Sequence, residues 1–364
     1  MANRQTKAKK TRNLLILNYA MDPNDQVFAH QIEVVRKLAP HFESIRVITA
    51  SENSFNEYPG NVEVFLSKWE YESNISNLLS FYKVLRKATQ GFRNYSIFSH
   101  MTEVQSALIL PLTIFLNIPH FLWYAHQSKS LFLKINLAFL TGIVTSTSGS
   151  CPVESKKVHV IGQGIDEKLF GNTLRKDLVQ KDKLIAVHVG RIDKSKEIQN
   201  IIDNSVRSNM SSAFDKLLLI GEPTKNNKDY QEEIKVMNSD LISMGKILFV
   251  GKVSRSALPD FLATCDLFIH SFNGSLDKAL VEATMLGLPV VTNNAEYQRL
   301  FGVWTRFPTS TNFSLNQEID SFLHLKKVNP VLVATEIRRR RLIAINEHSL
   351  ERWIAKLVNV LKGQ

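Results

Sequence analysis

Only two cysteines, Cys151 and Cys265, occur in 364 residues. That excludes a disulfide scaffold and any four-cysteine zinc site. Both sit among small or apolar neighbours, which predicts inert packing rather than reactivity, and a reduced cytoplasmic compartment is the default expectation. Fifteen glycines and 11 prolines are too few for a collagen or a low-complexity linker protein. Long apolar runs are missing as well. The most apolar stretch, Ala107 to Tyr124, contains Pro111, Thr113, Asn117, Pro119 and His120, whereas a spanning helix needs about 20 mostly apolar residues. Pro119 cuts this stretch into an expected buried helix and a buried strand. Leu14-Leu15-Ile16-Leu17 is far shorter than a signal-peptide core, so no secretion signal is expected and any membrane association is peripheral. Walker, GxGxxG, HExxH and CxxC patterns are absent.

Acidic residues are also in deficit. Lys+Arg minus Asp+Glu is 45 − 34 = +11, and the pI is near 9.5. Such a balance implies anionic partners: nucleic acid, phosphorylated small molecules or an anionic membrane face. Part of the excess is local. Arg4, Lys7, Lys9, Lys10 and Arg12 have no acid among them, and Arg338–Arg341 are four consecutive arginines. The first segment reads either as a frayed terminus or as a tether to anionic headgroups, at about 1 kcal/mol per basic residue. A nucleic-acid binder is disfavoured, because the basic runs lack interleaved aromatics.

What is present is an ordinary globular composition, 44% hydrophobic and 22% charged, of a length that suggests two domains. Short apolar runs alternate with helical patterns. Strands are expected at Leu14–Asn18, Arg46–Thr49, Tyr95–Ser99, His120–Tyr124, Gly142–Thr145, Val158–Ile161, Leu184–Val189, Lys216–Ile220, Ile247–Val250, Leu267–His270 and Pro289–Thr292. Several are continuously hydrophobic, as parallel strands buried on both faces are. In Gln26–Ala39, Phe28, Ile32, Val35 and Leu38 mark one helical face; Leu258–Cys265 and Leu276–Met285 read likewise. Strands alternating with helices predict βαβ units. The expected fold is α/β, two Rossmann-like doubly wound domains facing a central cleft. The boundary falls in the polar stretch 168–183, giving domains over 1–170 and 180–344. A TIM barrel is the competing arrangement, and the polar linker argues against closure. Ligands of such sheets bind at the carboxyl ends of the strands.

Three segments could carry chemistry there. Ile269–Val291 reads strand, loop, helix, strand, with Ser275 as the expected N-cap and Gly287 and Pro289 as the stop. A helix start offers free N–H groups and a favourable dipole to an anion. Glu282 lies about 9 Å further along the axis, placed to accept hydrogen bonds from ribose hydroxyls. The bland alternative is an i,i+4 surface pair of Lys278 and Glu282. In the second segment a buried strand ends at Gly190 and Arg191, Lys194 and Lys196 follow, cations suited to phosphate, or else a solvated basic loop. In the third, His126 follows the strand at Phe121–Tyr124 and reads as a cleft histidine or a structural one; His100 has the same character with less claim to function.

These segments, in this order, resemble the glycosyltransferase family 4 group of the GT-B fold. The “GR…K” pattern is met by Gly190, Arg191 and Lys196. The pattern “vG.vs…L…..D.f…S…..l.EA.a.G.PVV” is met by Gly251, Val253, Ser254, Leu258, Asp266, Phe268, Ser271, Leu280, Glu282, Ala283, Gly287, Pro289, Val290 and Val291. Val160–Phe170 resembles the family's “vipnGvD…F” entry to the linker, and Ser349-Leu350-Glu351-Arg352-Trp353 the “sWe” start of its last helix. The resemblance spans about residues 12–362. It implies an acceptor-binding first domain, a donor-binding second domain, and a final helix, about 345–364, packed back on the first. Carried over, Arg191 and Lys196 hold the donor diphosphate with Gly190 beside them. Glu282 holds the ribose, the amides at Ala279 and Leu280 add to the phosphate site, Lys252 and Val253 lie near the base, and His126 stands beside the transferred sugar. The sequence departs from the pattern at Gly274, where the first of two glutamates is usual. It carries Gly274-Ser275-Leu276-Asp277-Lys278 instead, a GSLDK variant in which Asp277 or Lys278 takes over the sugar contact. Pro23-Asn24-Asp25-Gln26 replaces a Gly-Gly loop, and Glu197 replaces the usual glycine after Lys196.

The resemblance thus implies a retaining glycosyltransferase that uses a nucleotide-diphosphate sugar as co-substrate, with no metal and no resident cofactor. A saccharide or lipid-linked acceptor in cell-surface polysaccharide or lipopolysaccharide synthesis is expected, at the inner membrane face. A donor-binding regulatory subunit and a nucleotide-sugar epimerase of the same fold are the alternatives.

Overall fold

The computed structural model describes residues 12–25, 28–53, 57–67, 75–171, 181–208, 211–224, 227–305 and 313–363. The basic segment 1–11 and the linker residues 172–180 lie outside the described residues. The chain forms two compact units: residues 1–162 with 350–364, and residues 163–349.

The first unit alternates β1 (Asn13–Met21), α1 (Gln31–Leu38), β2 (Ser44–Glu52), β3 (Val62–Leu66), α2 (Ile75–Thr89), β4 (Tyr95–His100), α3 (Glu103–Phe115), β5 (His120–Trp123), α4 (Leu131–Phe139), β6 (Gly142–Thr145) and β7 (Val158–Val160). The sheet is parallel throughout, in the order β3-β2-β1-β4-β5-β6-β7. The period-2 alternation of a strand explains its central run. Leu14 and Ile16 enter one core with α1, while Leu15 and Leu17 enter the other with α2 and α3. Each such side chain contributes about 1.5–3 kcal/mol on full burial.

Three features differ from the sequence expectation. β3 was not foreseen, because Val62 and Val64 are only half-buried around the exposed Glu63, so an edge strand shows no continuous apolar run. α1 starts at Gln31; ahead of it the Asp25 carboxylate accepts from the Phe28 amide at 2.6 Å. The helix expected to be buried before Pro119 is buried on one side only, since α3 ends with Ile114 and Phe115 exposed, followed by exposed Leu116.

The second unit contains α5 (Glu167–Phe170), β8 (Leu184–Val189), α6 (Ile198–Asn204), β9 (Phe214–Ile220), α7 (Lys228–Met237), α8 (Ser239–Ser243), β10 (Ile247–Gly251), α9 (Leu258–Ala263), β11 (Leu267–His270), α10 (Lys278–Leu286), β12 (Val290–Thr292), α11 (Ala295–Phe301), α12 (Leu315–Val328) and α13 (Pro330–His348). Its parallel sheet runs β10-β9-β8-β11-β12. Val187, Phe268 and Val290 face α9 and α10, while Ala186, Leu267, Ile269 and Val291 face α6 and α12. The strand order reverses between β8 and β11, and the crevice outside their carboxyl ends is where ligands of such sheets bind.

The arginine run lies on α13 and largely serves this unit's own packing. Arg339 donates to the Phe301 carbonyl and Arg341 to those of Met285 and Gly171. Arg340 is buried with its guanidinium 3.8 Å from the Trp304 ring centroid. The last helix, α14 (Leu350–Lys362), completes the first unit. Its stripe of Leu350, Trp353, Ile354, Leu357, Val358 and Leu361 is buried with α1, and Trp353 meets the Trp123 ring edge-on at 5.4 Å. Both cysteines are free and buried.

Candidate functional site

The carboxyl ends of β8 and β11 carry two loops that knit together. The first begins at Gly190. A Cβ at Gly221 would stand 2.0 Å from the Gly190 carbonyl oxygen, so the absence of a side chain there lets two strand ends approach. Asp193 organises the next turn: its carboxylate accepts from the Ser195 amide at 3.0 Å and pairs with Arg191 Nε at 3.3 Å. Arg191 remains exposed. Lys196 is buried, with its ammonium against the Asp277 carboxylate and 4.1 Å from the Phe272 ring centroid.

The second loop ends on Asp277, which is the N-cap of α10 in place of the expected Ser275. Its Oδ1 accepts from the Ala279 amide at 3.2 Å. Leu276 is buried in the core, so the chain makes one more inward step before the helix can start. Asp277 Oδ2 also lies 3.3 Å from His270 Nε2, and His270 Nδ1 lies 3.2 Å from Thr292 Oγ1. Burial pushes the Asp277 carboxyl up, but the Lys196 ammonium and the His270 bond outweigh it and hold the group well below the usual carboxylate range. Burial pushes the His270 imidazole down, with Asp277 opposing. His188, on β8, is pushed down to about 3 by burial and then by His270.

The loop itself is riveted by Asn294, whose amide donates to the carbonyls of Phe272 at 2.8 Å, Gly274 at 3.3 Å and Ser275 at 3.2 Å. A Cβ at Gly274 would stand 2.3 Å from the Phe272 ring. An acidic side chain at 274 is therefore incompatible with this packing of Phe272. Gly287 ends α10 at φ 83°, as expected.

Glu282 is buried, and its partner is Arg255 Nη1 at 2.8 Å. The surface pair of Lys278 and Glu282 is therefore replaced by a different ion pair. Arg255 was missed by the sequence reading: it lies in the loop before α9, far from Glu282 along the chain, and no local spacing reveals the contact. Lys278 is half-buried next to both, and its amine is pushed down to about 7 by burial and the Arg255 charge, with Glu282 and Asp277 opposing. Leu280 is buried, Val253 is half-buried against the core and Lys252 is exposed. His126 belongs to the first unit, exposed after β5, with Nδ1 accepting from the Ser128 amide at 3.0 Å. The structure thus brings Lys196, Asp277 and Ala279 together, groups Lys278 and Glu282 around Arg255, and pairs Arg191 with Asp193. Among the described residues no cluster of three or more His, Cys, Asp or Glu could hold a metal ion, and no helix is long and apolar enough to cross a membrane.

Residues 171–300, which contain both loops, match the model of the family described as Glycosyl transferases group 1. No curated protein sequence matches the chain significantly. Among solved structures, the chain is similar to Alr3699/HepE of Anabaena in complex with UDP and glucose, at 17% identity and TM-score 0.71 over 96% of this chain and 99% of that one. It is similar to the sucrose-phosphate synthase of Thermosynechococcus elongatus, at 13% identity and TM-score 0.74 over 95% and 97% of the two chains. It is also similar to WaaG, a glycosyltransferase involved in lipopolysaccharide biosynthesis, at 14% identity and TM-score 0.64 over 96% and 100%. The two parallel-sheet Rossmann-like units are those of the GT-B fold.

Proposed function

We propose that this chain is a retaining glycosyltransferase of the GT-B type. It moves a sugar from a nucleotide-diphosphate donor to a saccharide or lipid-linked acceptor in cell-surface polysaccharide or lipopolysaccharide synthesis. The observation that carries the reading is the meeting of Lys196 with the first turn of α10 at the β8/β11 switch point, inside the segment that matches the group 1 family. That solved structures of the same fold hold UDP, UDP-glucose or UDP with glucose supports it.

Departure of a nucleotide diphosphate leaves growing negative charge on the phosphate, and preorganised cations stabilise that charge more than the ground state. Lys196, Lys278, Arg255 and the exposed Arg191 supply the cations. Asp277 pairs with Lys196; a diphosphate competes for that ammonium with strong acceptor oxygens. Glu282, fixed by Arg255, is assigned to the ribose, and Lys252 and Val253 to the base. The first unit is assigned to the acceptor, with His126 as its catalytic residue. The same unit is proposed to touch an anionic membrane. Leu131, Ile135 and Phe139 form an exposed i,i+4,i+8 stripe on α4, beside exposed Phe132. Lys129 and Lys134 flank it, and residues 104–153 contain no carboxylate.

The test is thermal denaturation with UDP, GDP, ADP and their common sugar conjugates. Any ligand that prefers the native state raises the melting temperature. One base series should raise it in the wild type and fail to do so in Lys196→Ala. No shift with any nucleotide, or an undiminished shift in Lys196→Ala, would overturn the reading.

A further inference from the structure

We infer that Glu197 is the carboxylate that binds hydroxyl groups of the sugar carried by the donor, a specificity-determining residue for the proposed transfer. The inference rests on that reading of the β8/β11 mouth.

The first observation is conformational. Glu197 sits at φ 47°, ψ 47°, the left-handed region that disfavours side chains and suits glycine. A strained residue persists only where its surroundings over-determine it, and strain of this kind points to function rather than follows from it. The side chain does not cap the backbone of α6, which begins at the next residue.

The second observation is where the carboxylate is held. Ser271 Oγ, fully buried at the end of β11, donates to Glu197 Oε2 at 2.5 Å. The same hydroxyl accepts from Asn200 Nδ2 at 2.8 Å and from Asn293 Nδ2 at 3.2 Å. A hydroxyl has one proton and two lone pairs, so with both lone pairs engaged its proton is directed to Glu197. Asn200 Nδ2 adds a contact to Oε2 at 3.3 Å. One carboxylate oxygen is thereby pinned, while no hydrogen bond from the described residues reaches the other, Oε1, and the residue is exposed. A fixed carboxylate with a free oxygen is a preorganised acceptor for hydroxyl donors.

The third observation is elimination among the acids of this mouth. Asp193 is engaged by Arg191 and Ser195. Asp277 is engaged by Lys196, His270 and the Ala279 amide, and Glu282 by Arg255. Position 274 cannot carry an acid while Phe272 keeps its place. Of Asp193, Asp277, Glu282 and Glu197, Glu197 is the one that no cation meets among the described residues, and it reaches the end of β11 from the β8 side.

The test compares Glu197→Gly and Glu197→Gln with the wild type in two measurements. One is the melting temperature without ligand. The other is calorimetric affinity for a nucleoside diphosphate and for its sugar conjugate, using UDP with UDP-glucose and UDP-N-acetylglucosamine, and GDP with GDP-mannose. For the pair that binds the wild type, Glu197→Gly should keep or raise the melting temperature. It should bind the free diphosphate within about twofold of wild type, yet bind the sugar conjugate at least tenfold more weakly. Glu197→Gln, which keeps one acceptor oxygen, should fall between. Unchanged affinity of Glu197→Gly for the sugar conjugate would overturn the inference and leave the transferase reading standing. So would a lowered melting temperature with equal losses for both ligands, since that is the signature of a structural role. A wild type that binds no nucleotide would overturn both.

Discussion

A lysine brought half out of water beside an arginine gives up its proton easily, and Lys278 is in that position. Its folded-state value of about 7 lies below the roughly 10.4 of an unfolded chain. Between those values the unfolded state binds more protons, so stability rises with pH through that window and is lowest where Lys278 is charged. A bound diphosphate reverses the preference, because the anion favours the ammonium. Diphosphate binding at pH 8 should therefore take up a proton, visible as a dependence of the calorimetric enthalpy on the buffer's ionisation enthalpy. Lys278→Met should abolish that uptake and weaken diphosphate binding about tenfold, the value of one charge-assisted hydrogen bond of at least 1.4 kcal/mol. Proton-independent binding in the wild type would show that Lys278 does not meet the ligand. At this scale the sequence is informative about residue types and silent about partners. Gly190, Arg191 and Lys196 are recognisable as a glycine and cations following a buried strand. That Lys196 meets Asp277, and that Glu282 meets Arg255 rather than Lys278, depends on pairs that only the sheet brings together.

Elements were more legible than their ends. Continuous apolar runs found the strands buried on both faces, and β3 escaped because an edge strand has only a partial pattern to show. The start of α10 was misplaced because Ser275 is as good a cap by residue type as Asp277. The burial of Leu276, which decides between them, is a tertiary fact. The loop before α10 depends in turn on Asn294, which caps α11 through the Tyr297 amide at 2.9 Å and holds the carbonyls of Phe272, Gly274 and Ser275. Asn294→Ser keeps a capping oxygen and loses the amide donors. Asn294→Ala loses both, and a lost cap alone costs about 1 kcal/mol. Asn294→Ala should melt several degrees below wild type, Asn294→Ser in between, and both should bind nucleotide more weakly. Equal melting temperatures for the two variants would show that the cap contributes nothing measurable.

At the scale of the molecule, the apolar stripe on α4 is the feature hardest to reconcile with exposure to water alone. Monomers rarely leave large contiguous apolar patches uncovered. Sedimentation with vesicles of phosphatidylglycerol and phosphatidylcholine should carry the wild type down at low salt, and Ile135→Glu with Phe139→Glu should lower the bound fraction at least fivefold. Retention of binding by the double variant would place any contact elsewhere, as in the basic residues before Arg12. The composition gives a basic protein with no apolar run of the length a spanning helix needs. It could not foresee this stripe, because the inward Leu133 and the outward Leu131 look alike in a sequence and only packing distinguishes them.

The membership of α14 in the first unit has a consequence for how the protein is made. The sheet of that unit is encoded before the second unit, yet the stripe of Leu350, Trp353, Ile354, Leu357, Val358 and Leu361 that covers its α1 side is encoded after it. Domains usually fold in the order of synthesis; here the segment inserted in the middle has all its residues before the one that surrounds it. Until α14 has left the ribosome, the earlier sheet keeps an apolar face uncovered, a nascent-chain state for chaperones to shield.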